Sequence, residues 1–356
     1  MFFKDQLLSK IEKLDTATRE KFTRIYKINI SHGKLLIPDS MISWVKSNFG
    51  DVGSVEHQEF VKIFNRITGE GSIFNELRTK RPVIVDQSLG GAKEEVEKCF
   101  GDYFANPKTS TPEDVFGRIK GKYCITASNI AKYDGFSGLI IFNDHNPLNF
   151  NAEKIADYLE VASLYFKKAH EVNPDAIYPF FAWNALWRAG ASIIHGHAQV
   201  VLTEGMAYSK IDMLRRQVLD YENLHLSNYF DDIFAVHKAL GLGMEYGKTR
   251  IMVKLTPIKN NEILIVGRDY GQELAKSISK VLTALKNNLG VQSFNLVIYL
   301  PPLAKTEENW SHIPYIVRIV DRGNLGNKTA DIGSMELYAQ SIVESNPYKA
   351  MEALRN

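Results

Sequence analysis

The order of hydrophobic periods along the chain decides its fold class. Short apolar, strand-like runs at Tyr123–Ala127 and Leu139–Phe142 precede a segment over Asn151–Val172. There Ile155, Leu159, Ala162, Phe166 and Ala169 recur at helical spacing. Pro174 ends that helix, and strand-like runs follow at Tyr178–Trp183 and His195–Thr203. Beyond them the pattern predicts helices over Ser209–Tyr221 and Gln272–Asn287. It predicts strands over Ile251–Leu255, Ile263–Val266, Asn295–Leu300 and Ile313–Val320. Strand–strand–helix runs, rather than strict strand–helix alternation, predict an α+β protein with mostly antiparallel sheets flanked by helices. Residues 1–61 read as an N-terminal helical extension, with Leu7, Leu8, Ile11 and Leu14 at helical spacing. Pro38-Asp39-Ser40 opens a further helix there through Met41, Ile42, Trp44 and Val45.

Composition narrows the function classes. The 356 residues hold 43 Lys and Arg against 41 Asp and Glu, a net charge of +2, which provides no bulk attraction to nucleic acid or an anionic membrane. The two cysteines, Cys99 and Cys124, exclude a disulfide framework and a four-cysteine zinc site, and they fit a reducing compartment. Charges throughout Met1–Asp15 do not suit a signal peptide, and no apolar run reaches the length of a membrane span. A cytoplasmic protein is expected.

Several local patterns fall short of a motif. Gly241-Leu242-Gly243 begins like a dinucleotide fingerprint but has Tyr246 where a third glycine belongs. Ser88–Lys93 lacks the spacing of a phosphate loop. Both read as surface turns, and Asp231-Asp232 reads as a solvated helix cap. The run Ile193-Ile194-His195-Gly196-His197-Ala198-Gln199-Val200-Val201 is different. On a strand, His195, His197 and Gln199 share one face, while Gly196 and Ala198 leave the other face small. From these residues alone three readings stand level: satisfied core histidines, a metal-binding pair, or a neutral imidazole that attacks phosphorus.

The His195-Gly196-His197-Ala198-Gln199 run resembles the signature of the galactose-1-phosphate uridylyltransferase branch of the histidine triad superfamily, which also includes diadenosine tetraphosphate and nucleotide-sugar phosphorylases. Asn184 and Gly190-Ala191-Ser192 precede it at the family's spacing. Upstream, Asn65-Arg66-Ile67-Thr68-Gly69-Glu70, Arg78-Thr79-Lys80-Arg81-Pro82, Thr111-Pro112-Glu113 and Asn129 are similar to further family segments in the same order. Gly333–Glu336 and Ala350–Arg355 resemble the family's C-terminus more faintly. The resemblance implies two histidine-triad-like (HIT-like) halves, 62–205 with the motif and 206–356 as a diverged second copy.

The resemblance also implies a chemistry. His197 would be the nucleophile that takes a nucleoside monophosphate from a nucleotide sugar and passes it to a sugar phosphate, with His195 and Gln199 beside it. Arg78, Arg81, Asn129, Asn184 and Ser192 would bind substrate. Gln199 stands where hydrolases of the superfamily carry a histidine. Its amide cannot protonate a leaving group, which favours phosphate acceptors over water. A phosphorylase using inorganic phosphate is the nearest alternative, and a non-catalytic nucleotide-binding protein the next. Some family members hold zinc with two cysteines and two histidines. Cys99, His145 and His195 match three of those positions, but Val96 stands at the first cysteine, so tightly bound zinc is not expected. Ile342 stands where family transferases have a sugar-binding glutamine six residues past the glutamate that Glu336 matches, and Gln340 is the nearest amide. Galactose specificity therefore does not follow. His312 reads either as a relic of a second triad or as a lone histidine at a sheet edge. The family it resembles often forms homodimers with sites near the interface, while the sequence leaves the oligomeric state of this chain open.

Overall fold

The computed structural model describes residues 3–83, 85–86 and 91–356. Its strands in chain order are β1 (Tyr26–Lys34), β2 (His57–Asn65), β3 (Gly71–Phe74), β4 (Cys124–Ser128), β5 (Phe136–Phe142), β6 (Ala176–Ala185) and β7 (His197–Glu204). There follow β8 (Gly243–Tyr246), β9 (Thr249–Val253), β10 (Ile263–Gly267), β11 (Phe294–Tyr299), β12 (Tyr315–Asp321) and β13 (Ser341–Val343). The nine-stranded sheet has the order β4-β5-β7-β6-β11-β12-β10-β9-β8, and every neighbouring pair in it is antiparallel. The four-stranded sheet runs β1-β2-β3-β13, with only its β3–β13 pair parallel. This is the α+β, largely antiparallel architecture that the periodicity predicts.

The helix expected over Asn151–Val172 forms over Ala152–Val172, because the Asn151 side chain accepts from the Lys154 N–H at 2.9 Å and caps it. It packs against the Gln272–Leu289 helix, and the pair covers one face of the large sheet. Ala198 and Val200 of β7 are fully buried beneath them, as are Ile298 of β11 and Ile265 of β10. The other face carries a cross-strand row through Leu139, Gln199, Ala182, Val297, Arg318 and Leu264. The alternation read from the sequence therefore places His197 and Gln199 on the face away from these helices.

The N-terminal region departs from its helical reading. Helices form at Phe3–Glu12, Thr16–Ile25 and Ile42–Phe49, but Tyr26–Lys34 is a strand paired along its length with β2. Tyr26, Ile28 and Ile30 alternate with polar residues at a period of two, and that local pattern prevails over helix propensity. The expected boundary at residue 61 falls inside β2. Asp232 is not a solvated cap. Asn228 caps the Tyr229–Ala239 helix, while Asp232 is buried, 2.8 Å from Lys21 Nζ and accepting from the Tyr221 hydroxyl at 2.8 Å. Of the Ser88–Lys93 turn, Ser88, Leu89 and Gly90 lie outside the described residues. Among the described residues no helix is long and apolar enough to cross a membrane.

Candidate functional site

Gly196 sets how the motif enters β7. A Cβ there would lie 2.7 Å from the Phe142 ring and 2.9 Å from the Asp144 carbonyl oxygen, so only glycine lets the chain pass this close. The Gly196 N–H donates to the His145 carbonyl at 2.8 Å, and the Gly196 carbonyl accepts from the Phe142 N–H at 2.9 Å. The next residue, His197, is thereby held at the first position of β7.

The His197 ring has one defined tautomer. Its Nδ1 lies 2.8 Å from the His195 carbonyl oxygen, which can only accept, so Nδ1 carries the proton and Nε2 keeps a lone pair. The residue is 7% exposed. Burial holds the imidazole below its ordinary value, against the opposing pull of the His195 carbonyl, so the neutral ring dominates at pH 7. The Phe104 ring stands edge-on, 5.1 Å away. Phe104, Ile125, Ala127, Leu139 and Ile141 form a small apolar cluster, in which Ile141 pairs with His197 and Leu139 with Gln199. Half-buried Gln199 follows on the same face. The result is a neutral imidazole beside an apolar wall.

The other expected substrate residues fall into two groups. Asn184 ends near this strand, its side-chain oxygen accepting from Asn295 Nδ2 at 2.7 Å. Ser192 is exposed on the loop before His195, and the Asn129 N–H donates to the Ser137 carbonyl at 2.9 Å at the end of β4. Arg78 and Arg81 line a cavity of about 780 Å³ together with Arg188, Lys259 and Arg322. Arg78 Nε has no hydrogen-bond partner there, and Arg81 is 3.9 Å from Glu344. None of His197, Gln199, Asn184, Ser192 or Asn129 lines that cavity. Within one chain His197 and the Arg78–Arg81 pair thus do not share a cavity.

Two further segments singled out by sequence have structural tasks. Glu70, in the Asn65–Glu70 turn, meets Lys254 Nζ at 2.6 Å and Arg318 Nη2 at 2.7 Å. Burial would raise its carboxyl, but those two cations outweigh burial and hold it well below the usual range. Glu336 lines the same cavity as Arg78, and its carboxylate accepts from the Gly333 N–H at 2.8 Å and the Ile342 N–H at 3.4 Å. Gln340 donates to the Ile63 carbonyl at 3.2 Å. His312 is half-exposed and 2.7 Å from Glu222.

Of Cys99, His145 and His195, the structure brings the two histidines together. Cys99 is exposed, and the cluster that converges is Asp102, His145 and His195, with ligand atoms within 4.8 Å of one another. His145 Nε2 lies 2.8 Å from the Val96 carbonyl and His195 Nε2 2.8 Å from the Phe142 carbonyl, so both Nε2 atoms donate. Their Nδ1 lone pairs then face each other at 3.2 Å, with an Asp102 oxygen 3.5 Å from His195 Nδ1. Two facing lone pairs need a proton or a cation between them. Nitrogen ligands about 2.0–2.1 Å from a tetrahedral zinc stand roughly 3.3–3.4 Å apart, and carbonyls on the far nitrogens are its usual outer shell. These residues fit a zinc ion of the kind that some family members hold, with Asp102 in place of a thiolate.

Asp102, Phe104, Arg188, Lys259 and Arg322 escape sequence reasoning. Asp102 had a signal, for it follows Cys99 at the spacing of a paired metal ligand. The others had none.

No family model and no curated relative matches the sequence. Solved structures do match in fold. An ADP-glucose phosphorylase from Arabidopsis thaliana with bound ADP-glucose superposes with a TM-score of 0.60 at 15% identity, over 82% of this chain and 96% of that one. A galactose-uridylyltransferase-like protein from the same plant gives 0.59 at 15% identity, over 82% and 96%. A uridylyltransferase gives 0.56 at 14% identity, over the same shares, 82% and 96%. The chain has the fold of this group of structures, the fold that the resemblance implies.

Proposed function

We propose that the protein is a nucleotidyl-transferring enzyme that works through His197. The observation that carries this reading is the ring's fixed tautomer: Nδ1–H is spent on the His195 carbonyl and Nε2 offers its lone pair. Nε2 attacks the α-phosphorus of a nucleotide sugar. A P–N bond forms as the P–O bond to the departing sugar phosphate breaks. A phosphate oxygen of the acceptor then attacks phosphorus, and the P–N electron pair returns to the ring. Gln199 donates an amide N–H to a non-bridging oxygen and has no proton to give a leaving group. Both partners in the exchange are therefore phosphates.

A sugar phosphate is the acceptor in the transferase reading. A phosphorylase reading, with inorganic phosphate instead, is favoured by the cavity beside Arg78. There Glu336 is committed to backbone N–H groups, and Ile342 replaces a sugar-binding amide. In this proposal residues 62–205 and 206–356 are two copies of one HIT-like unit, and two chains form a homodimer. The separation of His197 from the Arg78–Arg81 cavity supports that arrangement, with the clamp of one copy serving the nucleophile of the other. Zinc held by Asp102, His145 and His195 would supply the positive charge that the facing lone pairs require. It would tie the Asp102 loop to His195 and stand outside the chemistry.

The test is covalent trapping. Incubation with UDP-, ADP- and GDP-glucose, then intact mass measurement at alkaline pH, will show one added nucleoside monophosphate on the wild type and none on His197→Gly. An unmodified wild-type protein that still binds nucleotide would instead establish a non-catalytic binder.

A further inference from the structure

The face of the nine-stranded sheet that carries His197 holds a second cavity, of about 570 Å³. Its floor is the outer face of β10, β11 and β12, through Leu264, Val297, Ile316 and Val320. Met213 and Leu214 of the Ser209–His225 helix wall it opposite, and Phe180 of β6 closes one side. Gln199 and Arg318 fall on one cross-strand row, three strands apart, which at the usual strand spacing is about 14 Å. His197 and Gln199 do not line this cavity.

Charge decides what such a hollow accepts. Its titratable cations are Lys210, Lys254, Lys259, Arg318 and Arg322, and its lining carboxylate is Glu70. Behind the lining, Glu262 meets Arg318 at 2.5 Å and Asp331 meets Arg322 at 2.8 Å. With Glu336, which faces Lys259, four carboxylates stand against these five cations and leave one positive charge. Glu70 and Glu262 account for Lys254 and Arg318, and Asp331 for Arg322. Lys259 lies between this cavity and the Arg78 cavity and faces the Asp331 and Glu336 carboxylates, so the cation without a carboxylate beside it is Lys210. Lys210 has no ion pair among the described residues, and Lys259 Nζ donates to the Asp331 backbone carbonyl. Apolar walls with an unpaired lysine at Lys210 and a net positive charge select a flat ring that bears an anion.

We infer that this cavity is a second ligand site, separate from His197, that takes a nucleoside phosphate with its base on the Val297–Ile316–Val320 floor and its phosphate at Lys210. Asn295 lines the cavity and donates to Asn184 at 2.7 Å. One hydrogen bond thus links the occupant to the strand beside the nucleophile.

Photolabelling tests this on the full chain. His197→Gly protein is used, so that the outcome does not depend on covalent chemistry at that residue. Irradiation with 8-azido-ADP or 5-azido-UDP, followed by peptide mass mapping, is expected to place label on the Met213–Leu214 peptide. Lys210→Glu and Met213→Glu, both on the exposed side of their helix, are expected to lower that labelling at least about tenfold with unchanged melting temperature. Excess unlabelled nucleotide will compete, and inorganic phosphate at the same concentration will not. Label confined to the peptides that contain Phe104 and position 197, labelling indifferent to both substitutions, or equal competition by inorganic phosphate would overturn the inference.

Discussion

At the scale of single residues, the chemistry rests on one proton position. With the His195 carbonyl holding the Nδ1 proton, Nε2 is nucleophilic only while the ring is neutral. Burial lowers the ring's pKa, so the acid limb of the transfer rate is expected below the ordinary imidazole value of about 6.5. A rate–pH profile whose limb lies above that value would contradict this. His237 provides a stability counterpart. Burial pushes it down to about 4. Between pH 6.5 and 4 the unfolded chain binds a proton that the folded one does not, so stability is full above that window and falls as pH drops through it. The expected loss is up to about 3 kcal/mol. Denaturant melts at pH 7 and pH 4.5 are expected to show a smaller pH-dependent loss in His237→Asn than in the wild type. His197 is legible in the sequence because the histidine, its small neighbours and its partner amide lie within one strand. Asp102 is harder to read, because its meaning depends on His145 and His195, which adjoin it only after folding.

At the scale of elements, the same contrast appears in β7 and the Asn65–Glu70 turn. The Gly196 entry to β7 is tight on three sides, through Phe142, Asp144 and Pro147. Gly196→Ala is expected to cost about 1–3 kcal/mol and to displace His197, lowering nucleotide labelling more than the change in melting temperature alone accounts for. The turn works by a buried ion tetrad, Glu70, Lys254, Glu262 and Arg318. Glu70→Ala leaves two buried cations facing one carboxylate and is expected to cost about 3–5 kcal/mol in denaturant titrations. The turn's geometry is visible in the sequence, since Asn65 accepts from the Ile67 and Thr68 N–H groups at 2.9 and 3.1 Å and Gly69 takes a positive φ. Its partners on β12 and beyond β9 are not. The long helices were readable because their apolar stripes repeat every three to four residues over many turns. β1 was masked by helices on both sides, although its period of two was present.

At the scale of the whole molecule, the proposed dimer makes a quantitative demand. His197→Gly and Arg81→Ala homodimers are each expected to be inactive or nearly so. Mixed and allowed to exchange, they form hetero-dimers in which one of two composite sites is whole, so roughly a quarter of wild-type activity should return. Mixtures no more active than their components would reject the composite site.

What the chain determines by itself is whatever depends on near neighbours in sequence: the α+β class, the long capped helix, and the common face of His197 and Gln199. Only the tertiary structure decides what stands across from them. It sets Asp102 beside His195, Lys254 beside Glu70, and Arg188 with Arg322 around a cavity that His197 does not enter. Spacing along a backbone carries the first kind of information, because a strand or helix converts it directly into direction. The second kind is carried by strand register and sheet order, which arise from burying many distant apolar faces together and leave no mark at any one position.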